Sequence, residues 1–460
     1  MKIRTPMKLL AALTALCLLL GFGVFSAMAE PITAGDENGA TLQAMSTDQA
    51  LALASGLHFD GVGSEFKILV LADLDDGVFP YPTMLKYIQY VLEDVEPDLI
   101  VLGGDITREG ASILGLTSNA IPWVCDLFGD IPFTLTFGEN DALLPISKNN
   151  YFRRYQQYDN CLAYDLDREA LPGVGNHNLF IFNDEGAADA AAADLSGVAC
   201  NLWLMDSNGD GFFQPQTAWY AIREDSITTR ADYRIPSMLF SHYPLPEAYG
   251  VGGPAAGLVN PNYPMSTSPV DHRMSTQMNT YGLNIAAVSS HHRATAFYET
   301  YAGITFIGNP GLSFLSGSGT TRATRGATLI TLQLVDVGKA AVPGIPEVPA
   351  VPDDLDEFDQ PIPGTGTPAI PAVPAVPAQS PQVIISGYQL MTVHDYFNDD
   401  NVEECKVGSR NAFYKAGASM AFGPLASLIG RFASLFGADK YEVTFAATQF
   451  FGDTFHILLG

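Results

Sequence analysis

Five short stretches of this chain set carboxylates and imidazoles directly after apolar, strand-like runs. Phe66–Leu71 leads into Asp73-Leu74-Asp75, and Leu99–Leu102 leads into Gly103-Gly104-Asp105. Phe133–Phe137 leads into Gly138-Glu139-Asn140-Asp141, Met238–Phe240 into Ser241-His242-Tyr243-Pro244, and Ile285–Val288 into Ser289-Ser290-His291-His292-Arg293. One such loop means little, because acids and histidines are common at strand ends. Five in succession place mixed oxygen and nitrogen donors where folds of alternating strands and helices gather their ligands. That donor set suits divalent metals of intermediate hardness, such as Mn, Fe, Zn or Co.

Over roughly Leu57 to Val335 these loops resemble the calcineurin-like metallophosphoesterases. Members of that family carry D-x-H, G-D-x-x-D/Y, G-N-H-D/E, a lone His and G-H-x-H in this order, and hydrolyse phosphate esters with two metals. Flanking text is similar to the branch named for purple acid phosphatases: Leu57-His58-Phe59, Gly173-Val174-Gly175-Asn176, Met205-Asp206-Ser207, Gln216 with Trp219-Tyr220, and His242-Tyr243-Pro244-Leu245-Pro246-Glu247. Arg108 stands where a purple enzyme has tyrosine, so no iron–tyrosinate colour is implied.

The resemblance implies roles, and the departures from it alter them. Asp73 and Asp105 stand at family positions, Asp105 where the family's acid bridges both metals. His242 and His291 match ligands of the second metal, and Glu139 replaces the asparagine of that site with a charged oxygen ligand. Asp75 replaces the D-x-H histidine and Arg293 the last histidine, so the first site has lost both imidazoles. Asn140 replaces the histidine that assists the leaving group. The metal candidates are therefore Asp73, Asp75, Asp105, Glu139, His242 and His291, for one or two divalent ions, with Asn140 and Arg293 as catalytic candidates. Arg293 is expected to pair with Asp75 or Asp73 across the vacated first position. Two functions follow from the resemblance: an exported phosphoesterase using one strong metal with Arg293 clamping phosphate, or an inactive relative that binds a ligand or partner.

Several residues imitate a site. Gly175-Asn176-His177-Asn178 nearly spells G-N-H, but it precedes a strand (Leu179–Phe182), so Glu139-Asn140 is the preferred assignment. Asp206-Ser207-Asn208-Gly209-Asp210-Gly211 opens like a calcium loop, yet Thr217 occupies the twelfth place, where a bidentate glutamate is needed. His58 and His292 read as ordinary satisfied side chains.

The elements that must position these residues are legible in the apolar pattern. Further strands are expected at Leu202–Met205, Ile304–Ile307 and Thr328–Leu334, and a helix carries Met84, Leu85, Ile88, Val91, Leu92 and Val95 until Pro97 stops it. Strand–helix alternation predicts an α/β fold, a metallophosphoesterase-type β-sandwich flanked by helices. The expected organisation is a signal peptide at 1–29, a lead-in at 30–56, the phosphoesterase domain at 57–341, a Pro-rich linker at 342–381 and a small C-terminal module at 382–460. Eleven of thirty prolines lie in the linker, many at every third residue, which matches an extended polyproline spacer with an acidic middle at Asp353–Glu357. In the last segment a helix opened by Pro424 is expected to carry Leu425, Leu428, Ile429, Phe432, Leu435 and Phe436 on one stripe, followed by strands around Tyr441–Phe445.

Lys2, Arg4 and Lys8 before the apolar run Leu9–Phe25, with Ala27-Met28-Ala29 after it, form a secretory signal pattern. Its removal takes the formal net charge from -27 to -30, because three basic residues and no acids leave. So acidic a protein repels nucleic acid and anionic membranes, and a phosphate-bearing substrate needs a local cation. Of the cysteines, Cys17 leaves with the signal, while Cys125, Cys161, Cys200 and Cys405 could form two bridges; no CxxC spacing suggests zinc.

Overall fold

The computed structural model describes residues 56–74, 82–107, 120–141, 148–165, 171–185, 195, 197–208, 211–251, 257–259, 273–313, 325–339, 342–344, 372, 374–397 and a few positions between 428 and 447. The signal peptide, nearly all of the lead-in, Asp75, Arg108, Cys405 and the acidic stretch at 353–357 lie outside them.

Strands β1 (Glu65–Leu71), β2 (Leu99–Leu102), β3 (Phe133–Leu135), β4 (His177–Phe182), β5 (Val198–Leu204), β6 (Pro236–Ser241), β7 (Gly257–Val259), β8 (Leu283–Ser289), β9 (Thr295–Tyr301), β10 (Ile304–Gly308), β11 (Gly326–Asp336) and β12 (Gln382–Thr392) form two sheets. The helices are α1 (Pro82–Val95), α2 (Ala120–Cys125), α3 (Lys148–Tyr155), α4 (Gln214–Ala231), α5 (Pro246–Val251), α6 (Met274–Tyr281) and α7 (Val393–Tyr396). One sheet has the order β12-β11-β1-β2-β3 and the other β4-β5-β6-β8-β10-β9-β7. In the first, β1, β2 and β3 run parallel, with Ile68 opposite Leu99 and Ile100 opposite Phe133. In the second, β5, β6, β8 and β10 run parallel.

Strand periodicity divides β1 between two cores. Phe66, Ile68 and Val70 join Val101, Leu179, Ile181, Ile330 and Leu332 between the sheets, whereas Leu69 and Leu71 meet Met84, Ile88 and Val91 of α1 on the outer face. Both faces being covered explains why these strands read as unbroken apolar runs. The spacing of α1 buries every apolar residue expected on its stripe. The helix ends where Glu96 turns to φ 48, as the following Pro97 disfavours a helical predecessor. The layout is the expected α/β sandwich flanked by helices.

The boundary expected at 382 does not divide the fold. β12 pairs along β11 from Gly326↔Thr392 to Asp336↔Gln382 as the edge strand of the first sheet, and Met391, Val393 and Phe397 pack into the helix-side core. The two ends of the Pro-rich segment also meet: Lys339 and Gln379 exchange backbone hydrogen bonds, as do Val342 and Val376. A spacer leading away is therefore not what the described ends form; they lie side by side, extending the β11–β12 hairpin. Most of the helix expected after Pro424 lies outside the described residues. Where strands were expected around Tyr441–Phe445, the described Val443 is helical.

Candidate metal centre

Each predicted site residue that the structure describes lies just beyond a strand's carboxyl end. Asp73 follows β1, Asp105 follows β2, Glu139 follows β3, His242 follows β6, and His291 with Arg293 follows β8. Because these strands are parallel within their sheets, the loops emerge along one edge of the sandwich. Backbone contacts tie them together. Asp73 N–H donates to Gly104 O at 2.9 Å, and Ser290 N–H donates to His242 O at 3.0 Å.

Close approach demands unusual backbone. Asp73, Asp105 and His291 all adopt positive φ, at 49°, 53° and 60°. Such conformations are uncommon for side chains with a Cβ and persist where surrounding structure fixes them. Two glycines make the room. At Gly104 (φ 93) a Cβ would lie 2.7 Å from His242 Nδ1, and at Gly138 it would lie 2.1 Å from Asp105 Oδ1.

Asp105 is fully buried, and its carboxylate is held from three sides. Oδ1 accepts from Asn140 N–H at 2.8 Å and Oδ2 from the Asn140 amide at 2.6 Å. Arg293 Nη2 approaches Oδ2 at 3.4 Å, and His242 Nε2 lies 3.3 Å from the same oxygen. Arg293 Nε also donates to Asp73 Oδ1 at 3.1 Å. The expected arginine–carboxylate pair thus forms with Asp73, and with Asp105 as well; Asp75 lies outside the described residues.

On the other side, Glu139 faces both histidines. Its Oε2 lies 3.0 Å from His242 Nε2 and its Oε1 lies 3.1 Å from His291 Nδ1. His242 Nδ1 must donate to Gly103 O at 2.8 Å, since a carbonyl has no proton to give, and this turns Nε2 toward the acids. Buried Glu139 Oε2, His242 Nε2 and His291 Nδ1 make no hydrogen bond despite this proximity. Donor atoms that converge without hydrogen-bond alignment are what a divalent ion needs. One atom from each of Glu139, His242 and His291 lies within 4.8 Å of the others, and the same holds for Asp73, Asp105 and His242. These residues therefore fit a metal.

The electrostatics point the same way. Burial would depress His242, but the charge of Asp105, with Glu139 and Asp73, holds it well above the ordinary histidine range. Burial opposes ionisation of Asp105 and Glu139, yet the histidines bring both below their usual values. The acids thus demand positive charge at this position, as a proton or as a metal.

Asp141 was not among the predicted site residues, although it stands beside them. Its carboxylate accepts from the backbone N–H groups of Asp105, Ile106, Thr107 and Gly138, at 2.7 to 3.1 Å. It therefore locks the Asp105 loop to the Glu139 loop. Burial and the charge of Asp105 raise it to about 6. The sequence signal was a second acid in a four-residue loop already supplying a ligand. Tyr243 was also missed; its ring stacks on His291 with centroids 3.9 Å apart.

The imitations resolve as structure. His177 is fully buried, with Nδ1 on Gly175 O at 2.7 Å and Nε2 on the Thr134 hydroxyl at 2.8 Å, and burial lowers it to about 4. Asp206, the first acid of the calcium-like loop, takes Lys148 Nζ at 2.8 Å and the Val174 N–H at 2.9 Å. Cys125, Cys161 and Cys200 are free thiols. No helix among the described residues is long and apolar enough to cross a membrane.

Solved structures similar to the chain include a dimetal phosphatase from Danio rerio, 12% identical, covering 59% of this chain and 94% of that one, TM-score 0.36. The inner-membrane-complex anchor of Plasmodium is 13% identical over 58% of this chain and 81% of its own, TM-score 0.34. A calcineurin-like phosphoesterase from Bacillus subtilis is 12% identical over 59% and 85%, TM-score 0.31. No curated protein matches the chain. Residues 66–263, which hold every described site residue except His291 and Arg293, match the calcineurin-like phosphoesterase family. This part of the chain is a calcineurin-like phosphoesterase domain.

Proposed function

We propose that the protein is an exported metal-dependent phosphoesterase working with one divalent ion, held by Asp105, Glu139, His242 and His291. Arg293 then serves as a fixed cation where the resembling family keeps its first metal. The observation that carries this reading is Arg293 set 3.1 Å from Asp73 and 3.4 Å from Asp105, beside three buried donor atoms that have no hydrogen bond. Export rests on the basic, apolar and Ala27-Met28-Ala29 pattern at the start of the sequence.

A bound divalent ion supplies an activated water and charge stabilisation at phosphorus. The chain's own residues do the rest. Gly103 O fixes the His242 tautomer, and Tyr243 holds the His291 ring by stacking. Arg293, with its side chain 24% exposed, presents a guanidinium to a phosphoryl oxygen. Asn140 donates its amide to Asp105 and, being a carboxamide, cannot act as a general acid toward a leaving group.

That use of Asn140 also supports a second reading, an inactive relative that binds a phosphorylated ligand, because Asp105 already has donors on both oxygens. Metal analysis of purified protein, with assays on aryl phosphomonoesters and diesters, separates the two. One bound equivalent with turnover, both lost in Asp105→Asn, supports the enzyme. No bound metal and no turnover supports the second reading.

A further inference from the structure

The charges gathered at this centre bear on which phosphate ester it takes. Asp73, Asp105 and Glu139 contribute three negative charges within a few ångströms of one another, and Arg293 contributes one positive charge. For these four described groups, a divalent ion, whose binding requires ionised acids and neutral imidazoles, would bring the formal charge to zero. The carboxylate of Glu139 and the single positive charge of Arg293 set this balance. Asp141 behind Asp105 makes the surroundings more negative still. Lys148 is paired with Asp206 at 2.8 Å.

Resting on the one-metal reading above, we infer that the substrate is a phosphodiester, a monoanion, rather than a phosphomonoester dianion. The second negative charge of a monoester gains energy only in proportion to the positive potential it meets. Around a balanced centre that gain is small, while stripping water from the extra charge remains unfavourable. A diester presents one charge, and the Arg293 guanidinium meets it directly. Glu139 is thereby a specificity-determining residue: its carboxylate sets the charge that the pocket tolerates.

The test is binding of non-reacting probes to the full chain at pH 8 in Mn²⁺, with bound metal measured in the same samples. Dimethyl phosphate is the monoanion and methyl phosphate the dianion, each read by calorimetry and by thermal shift. Dimethyl phosphate should bind at least as tightly as methyl phosphate. In Glu139→Asn the ratio should move toward the dianion by about tenfold, the order expected for one charge at short range. Should Glu139→Asn release the metal, the wild-type ratio across pH decides. Methyl phosphate loses its second charge below its pKa near 6 and should then approach dimethyl phosphate. Metal bound together with a clear wild-type preference for the dianion overturns the substrate inference alone. No metal bound, with neither probe held, overturns the one-metal reading and the inference with it.

Discussion

Arg293 is the residue on which the proposed chemistry turns. Its partners Asp73 and Asp105 are both fully buried, so removing the guanidinium takes a cation away from two buried carboxylates. Breaking a buried pair in this way costs roughly 3–5 kcal/mol. Arg293→Ala should therefore lose about that much stability in metal-free buffer and regain part of it when Mn²⁺ is added. Denaturant unfolding with and without the ion measures this, and an unchanged midpoint would show that the pairs contribute nothing. Asn140 makes a second residue-scale case. A missing general acid lowers rates by about 10²–10⁴, so aryl phosphate esters should turn over far faster than alkyl ones, and Asn140→His should raise alkyl turnover selectively. Equal rates on the two classes would contradict this. The residue types at these positions were legible in the sequence; their directions were not. Nothing in the letters says that Asn140 folds back onto Asp105, because that depends on a left-handed turn at Asp105 and on the glycine at 138.

Among the elements, it is the strand-end loops that make the site. Apolar runs located all five strands that carry site loops, since strands covered on both faces have continuous hydrophobic sequence. The brackets between loops are not legible in the sequence, because Asp141 acts on backbone N–H groups that sequence does not display. They can still be tested. Gly138→Ala would set a Cβ 2.1 Å from Asp105 Oδ1, with backbone N of Asp105 only 2.8 Å away, so the loops must part. This variant should lose metal binding and roughly 1–3 kcal/mol of stability, the usual range for overpacking. Wild-type metal affinity in Gly138→Ala would show that the loops have slack. The role of β12 was also hidden. Its sequence alternates weakly, and the Pro-rich stretch 342–381 lies between it and β11.

For the molecule as a whole, the first sheet needs residues beyond the family match. Val383, Met391, Val393 and Phe397 are buried, each worth about 1.5–3 kcal/mol when removed from water. A chain ending at 341 should thus fail to show a cooperative thermal transition, and a normal one would indicate that β12 is dispensable. Acid sensitivity has its own source in His177, lowered by burial from 6.5 to about 4. Between those values the unfolded chain takes up a proton that the folded one refuses. The contribution is complete above pH 6.5 and is lost as pH falls through 4, amounting to about 3 kcal/mol at most. His177→Gln should flatten stability against pH over this interval, as chemical denaturation at several pH values will reveal; an identical slope would exclude His177 as the cause.

The central claim is that a protein cation has taken the place of one metal ion. Elemental analysis of the purified chain after Mn²⁺ loading and removal of loose ions tests it most directly, beside Arg293→His, which returns an imidazole to the vacated position. The wild type should hold one equivalent of metal and Arg293→His more than one. Two equivalents in the wild type would contradict the account.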